Sequence, residues 1–285
     1  MNIKKIVMAA VVLLFPFMVW GQAQIDTKKV KISDFTQKVT KVVLTGYPLH
    51  DGCLKSDFAA KWSSSPFEFC TREEYESLKS SDAYYFFLTT KGQFRKETEP
   101  GLTFLTLVKG GKKAEDGIDE MLEIVSFPFA SAESPSGREY VFLQPILDIV
   151  QKYALDAMEN DIDAYTGLPN YSMNIGKSGD MTLVFSEDDF ASEVTPDVKN
   201  ACFDENVLVL PEEEADEYVS PSKANTLVSY VVAPSEAKPG SFCYKMLIDP
   251  QTNTLYYFRK HKISKKFGAG FLAEDVKRIA VPRKK

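Results

Sequence analysis

Three side chains in the first quarter of the chain are the strongest candidates for chemistry. His50 and Asp51 are adjacent, and Cys53 follows two residues later. An imidazole beside a carboxylate can act as a general base, and a nearby thiol could be its nucleophile. Because residues adjacent in sequence rarely face one another, the alternative is a helix-entry turn in which Asp51 is the cap. The candidate catalytic residues are therefore His50, Asp51 and Cys53.

The other chemical motifs in the sequence are incomplete. The second histidine, His261, lies among Arg259, Lys260 and Lys262, whose charges favour a solvated surface position with a lowered pKa. Gly-Lys-Ser at 176–178 lacks the glycine that a phosphate loop needs five residues earlier. There is no Gly-x-Gly-x-x-Gly, no Gly-x-Ser-x-Gly and no Cys-x-x-Cys. We therefore expect no cofactor and no metal centre.

Pairs of carboxylates are common, and most stand at predicted helix starts. They are Glu73/Glu74, Asp188/Asp189 and Glu212 to Glu214. Acidic residues in a first helical turn complement the helix dipole, which is an ordinary structural role. A Ca²⁺ site at Asp188-Asp189 would lack EF-hand spacing, so solvated acids are the preferred interpretation.

The four cysteines leave three alternatives open. Pairing within each half of the chain would join Cys53 to Cys70 and Cys202 to Cys243. Cys70 and Cys243 lie in apolar runs, so they could equally be buried free thiols in strands. The third alternative is a catalytic thiol.

The N-terminus has the pattern of a cleaved signal peptide over residues 1–23. Lys4 and Lys5 precede a 15-residue apolar run, and Gly21 and Ala23 stand at signal-peptidase spacing. A retained anchor is the alternative, but the run is shorter than the roughly 20 residues that span a bilayer. We expect an exported protein, periplasmic or secreted, without a transmembrane segment after cleavage.

Composition and charge narrow the class of partner. The chain has 285 residues, 44% hydrophobic and 26% charged, with a formal net charge of −6. This composition is typical of a globular protein and argues against nucleic-acid binding. Residues 259–285 carry ten basic and two acidic side chains. This basic C-terminal end could contact an anionic surface weakly, or its lysines could protect an edge strand.

The order of apolar runs and helix signals predicts an α/β fold with two similar modules. After a leader (24–40), the modules occupy 41–111 and 179–285, and each reads as βαβαββ with a mixed sheet. Phe67–Cys70 matches Val207–Leu210 at an offset of 140 residues. A helical connector (112–178) should contain a short helix near 114–124 and an amphipathic helix over 137–159, kinked or started by Pro145.

These observations favour a non-catalytic function. The leading expectation is a binding or envelope-assembly protein that holds an envelope protein partner through its sheet edges and loop face. The alternative is an exported hydrolase or thiol enzyme with its site near His50, Asp51 and Cys53.

Overall fold

The computed structural model describes residues 31–94, 97 and 99–283. The predicted signal peptide (1–23) and residues 24–30 of the predicted leader lie outside the described residues. α-Helices are numbered here from Pro48 onward.

The first module is built on a five-stranded mixed sheet, sheet A. Its strands run in the order β2-β1-β3-β4-β5, and β2, β1 and β3 are parallel while β4 and β5 are antiparallel. Two helices make the crossovers between the parallel strands, because parallel strands cannot be joined by a short hairpin. The elements are β1 (Val39–Val43), α1 (Pro48–Lys61), β2 (Phe67–Cys70), α2 (Arg72–Leu78), β3 (Tyr84–Gly92), β4 (Leu102–Lys109) and β5 (Leu122–Ser131).

The second module repeats this topology in sheet B. Its strand order is β7-β6-β8-β9-β10, with β7, β6 and β8 parallel and the last two strands antiparallel. The prediction of two similar α/β modules with mixed sheets is confirmed, including the correspondence between β2 and β7. The elements are β6 (Thr182–Ser186), α6 (Pro196–Cys202), β7 (Val207–Leu210), α7 (Glu212–Asp216), β8 (Thr226–Val232), β9 (Phe242–Asp249), β10 (Thr254–Lys262) and α8 (Ala273–Ala280).

Each module has one strand more than βαβαββ, and in the first module this strand replaces a predicted helix. Residues 112–120 form two 3-10 turns, and β5 begins at Leu122 and pairs with β4. The segment 112–178 is therefore not helical throughout. Aromatic and β-branched residues in β5 bury one face against the core, and Pro128 is tolerated because β5 is an edge strand.

The predicted amphipathic helix is present but interrupted. A short helix, α3 (Arg138–Val141), ends at Phe142, and α4 (Leu143–Glu159) continues from there with Pro145 in its first turn. Proline is accepted in a first turn because its missing amide would have had no helical partner. A further helix α5 (Asp161–Thr166) and a 3-10 segment (Leu168–Lys177) complete the connector.

One core, called here the shared core, joins the two sheets. It contains residues of β1, β3, β4, β5, β8, β9 and β10 together with α1 and α4. Phe142 stacks on Tyr230 with 4.3 Å between ring centroids, and Phe127 of sheet A meets Phe258 of sheet B at 6.1 Å. Two smaller clusters cover the outer faces of sheet A and sheet B.

The connector covers part of the outer margin of sheet B, at Leu255 and Phe258 of β10. Ser172 donates to the carbonyl of Phe258 and accepts from its amide, and the Asn174 amide group donates to the carbonyl of Leu255. These side chains occupy main-chain groups that an unprotected edge strand would present to another chain.

All four cysteines are free thiols in the structure. Of the three alternatives for the cysteines, the disulfides Cys53–Cys70 and Cys202–Cys243 are therefore not formed. Cys70 belongs to the outer cluster of sheet A, whereas Cys53 packs against the shared core on the other face, so the sheet separates them. Cys243 is buried in β9, where its sulfur accepts a hydrogen bond from the Gly270 amide.

No helix among the described residues is both long enough and apolar enough to cross a bilayer.

Candidate functional site

His50 lies in the first turn of α1 and is buried beside two hydroxyl groups. Its Nε2 is 2.9 Å from Oγ1 of Thr89 in β3, and its Nδ1 is 3.4 Å from the hydroxyl oxygen of Tyr140 in α3. The ring also packs edge-on against Phe129 of β5. Burial lowers the pKa of His50, and the neighbouring carboxylate of Asp51 opposes that shift only in part. The net shift therefore favours the neutral form of the imidazole.

Asp51 closes the loop that precedes α1. Its Oδ1 accepts hydrogen bonds from the amide and hydroxyl of Thr45, both at 2.8 Å, and its Oδ2 accepts from the Gly46 amide at 2.8 Å. Burial raises the pKa of Asp51, but these hydrogen bonds outweigh burial and the net shift is downward. The carboxylate thus fixes the loop after β1, and no hydrogen bond joins it to His50 in the described chain.

Cys53 is half-buried and packs against the shared core. Burial raises the pKa of its thiol, and the nearby carboxylate of Asp57 raises it further. A thiol with a raised pKa is a poor nucleophile at neutral pH because the thiolate is the reactive form. Among the described residues no hydrogen bond connects Cys53 to His50, so the structure places the three candidates in one turn without linking them as nucleophile and base.

The His50 region occupies a characteristic position in the sheet, which we call the first crevice. In an open α/β sheet, ligands bind where the strand order reverses, beyond the carboxyl ends of the parallel strands. In sheet A this point lies between β1 and β3, where the loop after β1 meets Thr89. Tyr47 and Leu49 lie three residues and one residue before His50, at the start of α1, and have 74% and 70% of their surface exposed. We call this exposed pair the rim.

A second crevice lies at the equivalent point of sheet B, and a buried arginine fills it. Arg138, 6% exposed, donates from Nη1 to Asp189 at 3.0 Å and from Nε to Asp216 at 2.8 Å. Its Nη2 donates to the carbonyl of Ser229 at 3.0 Å, and Glu212 lies 3.7 Å from Nη1. This group of five residues is called the Arg138 centre below.

The Arg138 centre holds three carboxylates around one guanidinium. Burial raises the pKa values of Asp189, Asp216 and Glu212, and the charge of Arg138 opposes each shift. Asp189 is 4% exposed and also accepts a hydrogen bond from the Ser229 hydroxyl. The expectation that Asp188 and Asp189 are both solvated is thus wrong for Asp189: its strand end faces the connector, which supplies the cation.

Helix α3 links the two crevices. Arg138 reaches the second crevice and Tyr140, two residues later, reaches the first. Sequence reasoning predicted only that an amphipathic helix covers 137–159, and it missed both roles. The signal that could have revealed them is the duplication itself, since equivalent strand ends in the two modules predict two equivalent crevices beside one connector.

A third buried polar group lies on the outer face of sheet B. The ammonium of Lys245, 1% exposed, donates to Asp275 of α8, and the Tyr257 hydroxyl donates to the other carboxylate oxygen at 2.6 Å. His261 stands opposite Cys243 in the β9–β10 register, and its Nε2 is 2.8 Å from the Gly268 carbonyl oxygen. His261 is half-buried, so the expected fully solvated position is wrong. Its pKa is lowered as expected, but burial is the main cause, followed by the charge of Lys245.

The remaining motifs have local partners. Lys177 and Ser178 contact Asn174 and Ile175 at the end of a 3-10 segment, not a phosphate-binding turn. Arg278 pairs with Glu274, and Arg283 donates to the Met181 carbonyl at 2.7 Å. Side chains of three or more histidine, cysteine, aspartate or glutamate residues do not converge as a metal site anywhere in the described chain.

The fold and the two crevices define a two-module α/β protein. Comparisons with protein-family models, with curated proteins and with solved structures give no match to this chain.

Proposed function

We propose that the protein is an exported, non-catalytic binding module that holds a protein partner of the cell envelope at the first crevice. The observation that carries this proposal is the composition of the rim. Tyr47 and Leu49 are among the most exposed large apolar side chains of the described chain, and they stand on either side of Pro48 at the start of α1. Exposed aromatic and aliphatic residues on a rigid element are the usual anchors of protein interfaces.

The polar groups beneath this rim support binding rather than turnover. Asp51 is saturated by three hydrogen bonds from the loop, and both ring nitrogens of His50 face hydroxyl groups. The thiol of Cys53 is held in its protonated form by its surroundings. Groups with these partners stiffen a loop, and a stiff loop loses less conformational entropy when a partner binds.

Site-specific photocrosslinking in the native envelope tests the proposal. A benzophenone amino acid at position 47 or 49 should give the same discrete crosslinked band. The control is position 281, where Val281 is 69% exposed on a different part of the surface. A band at 47 and 49 that is absent at 281 is the expected result. Equal labelling at all three positions, or none, would overturn the proposal.

Two sets of substitutions distinguish a binding module from the alternative, an enzyme. His50→Ala and Cys53→Ala remove the only imidazole and thiol of the first crevice, whereas Tyr47→Ser and Leu49→Ser remove only the exposed rim. A binding module loses its crosslinked partner with the rim substitutions. An enzyme would lose its cellular phenotype with the His50 or Cys53 substitution while the rim variants retain it.

A further inference from the structure

Strand β7 is an edge of sheet B that pairs along one side only. Its four residues, Val207–Leu210, are registered with Leu183–Ser186 of β6. Leu208 and Leu210 pack against the shared core, and Val207 and Val209 pack against the outer cluster of sheet B. Both faces of the strand are therefore packed against apolar side chains, and its unpaired edge is the side away from β6.

The direction of the ladder shows which main-chain groups face outward. The amide of Leu183 donates to the carbonyl of Asn206 at 2.8 Å, so residues 206, 208 and 210 turn their polar groups toward β6. The amide of Val207 is used by the carbonyl of Asp204 at 3.1 Å. The Val209 amide and carbonyl thus point away from the sheet, and no partner for them occurs in the described chain.

The other three edge strands carry features that discourage pairing. β10 is covered by Ser172 and Asn174 at Leu255 and Phe258 and carries Lys260 and Lys262 beyond them. β2 contains Glu68, and β5 contains Glu123 and Pro128. Charges, proline and covering segments are the devices by which proteins block their sheet edges. Strand β7 has the sequence Val-Leu-Val-Leu, so it contains no charged residue and no proline.

Charge on both sides of β7 indicates what could pair with it. Asp204 and Glu205 precede the strand, and Glu212, Glu213 and Glu214 follow it after Pro211. Antiparallel pairing of β7 with a second copy of itself would bring these two acidic groups face to face, which is unfavourable. A segment with basic residues on both sides of an apolar stretch would instead find opposite charges at both ends.

We infer that β7 is a docking edge for an extended, apolar segment of a partner protein flanked by basic residues, which would add a sixth strand to sheet B. Main-chain hydrogen bonds to Val209 would supply part of the affinity, and the acidic flanks would select the partner. This inference rests on the edge geometry and not on the first crevice.

A synthetic peptide with alternating valine and threonine between two lysine pairs is the probe. Its fluorescence anisotropy should rise on binding to the wild-type protein, and the affinity should fall as salt screens the charges. Val209→Pro removes the outward amide and keeps the ladder to β6, so affinity should drop at least about tenfold. Val209→Thr keeps the amide and the branched shape, so it is the matched control and should bind like wild type.

Two further arms keep the inference testable if Val209→Pro fails to fold by circular dichroism. The same peptide with N-methyl groups on alternate residues cannot form the ladder, and it should not bind. Replacing Glu213 and Glu214 by lysine should weaken binding of the lysine-flanked peptide and favour a glutamate-flanked one. Equal binding of both peptides, or of the methylated peptide, would overturn the inference. Neither result changes the crosslinking expected at position 47, which tests the first crevice separately.

Discussion

At the scale of single residues, the two crevices differ in whether they contain buried charge. The first crevice contains a neutral imidazole between hydroxyls, whereas the second contains a guanidinium between carboxylates. Removing one partner of a buried ion pair leaves the other charge without compensation, which costs far more than the pair itself contributes. Arg138 is therefore the side chain on which the junction between connector and second module depends most.

Arg138→Met should destabilise the protein by about 3–5 kcal/mol because Asp189 would remain buried without its cation. Urea unfolding followed by circular dichroism measures this change. Arg278→Met is the matched control, since its pair with Glu274 is exposed and solvent screens it, so its loss should change stability little. The double variant Arg138→Met/Asp189→Leu should recover part of the loss. Equal losses in the free energy of unfolding at positions 138 and 278 would contradict the prediction.

Asp34 should produce acid sensitivity in a defined pH window. Burial raises its pKa, but hydrogen bonds from Lys38, Tyr85 and Lys109 outweigh burial and lower the pKa from 3.8 to about 2. Because the folded-state pKa is depressed, this carboxylate stabilises the fold above pH 4, and that stabilisation is lost as the pH falls from about 4 to about 2. Since Asp34 is partly solvated, we expect about 1–2 kcal/mol.

The measurement is the free energy of unfolding of Asp34→Asn and wild type between pH 7 and pH 2. The two proteins should differ at neutral pH and converge near pH 2. The control is Asp119→Asn, because none of the ion pairs among the described residues includes Asp119. A difference between wild type and Asp34→Asn that stays constant down to pH 2 would refute the assignment.

At the scale of elements, the helices and strands that were predicted correctly are those whose signal lies within their own sequence. Glu73 and Glu74 stand at the start of α2 as predicted, where Glu74 forms a capping box with Thr71, and the apolar stripe of α4 lies against the shared core. β5 was missed because Leu122–Ser131 contains proline and its pairing partner is fixed only by the sheet. The break at Phe142 was missed for a similar reason, since its ring is held by Tyr230 of the other module.

One close approach between elements depends on glycine. Gly270 has φ +107°, and a Cβ there would lie 2.6 Å from the amide nitrogen of Ala191 and from the carbonyl oxygen of Asp189. Gly270→Ala should therefore cost about 2 kcal/mol or more, because both the conformation and the contact are backbone constraints. Thermal unfolding measures this loss of stability. The control is Gly176→Ala, which has no atom within 4 Å of its added Cβ and should change stability by at most about 0.5 kcal/mol. Similar losses at positions 176 and 270 would refute the prediction.

At the scale of the whole molecule, the two modules share one core and should unfold together. Trp62 lies in the first module, stacked on Phe58, and it is the single tryptophan that remains if the signal peptide is removed. Its fluorescence and the far-ultraviolet circular dichroism should give the same denaturation midpoint. Val228→Ala, in the core of the second module, should shift the Trp62 transition to lower denaturant by as much as it shifts the circular dichroism. Separate midpoints would show independent modules.

The candidate site was predictable in its location and not in its chemistry. The position of His50 after the first strand followed from the α/β pattern, and the structure places it at the strand-order reversal. The Arg138 centre was not predictable, because Arg138 lies 51 residues from Asp189 and 78 from Asp216 in sequence. Only the folded connector brings these charges together.

The two margins of sheet B differ in the partner that they would accept. At β10, Ser172 and Asn174 occupy main-chain groups of Leu255 and Phe258, and Lys260 and Lys262 carry positive charge beyond them. A lysine-flanked strand that fits the acidic flanks of β7 would meet like charge at β10, so such a segment should add at one margin of the sheet only.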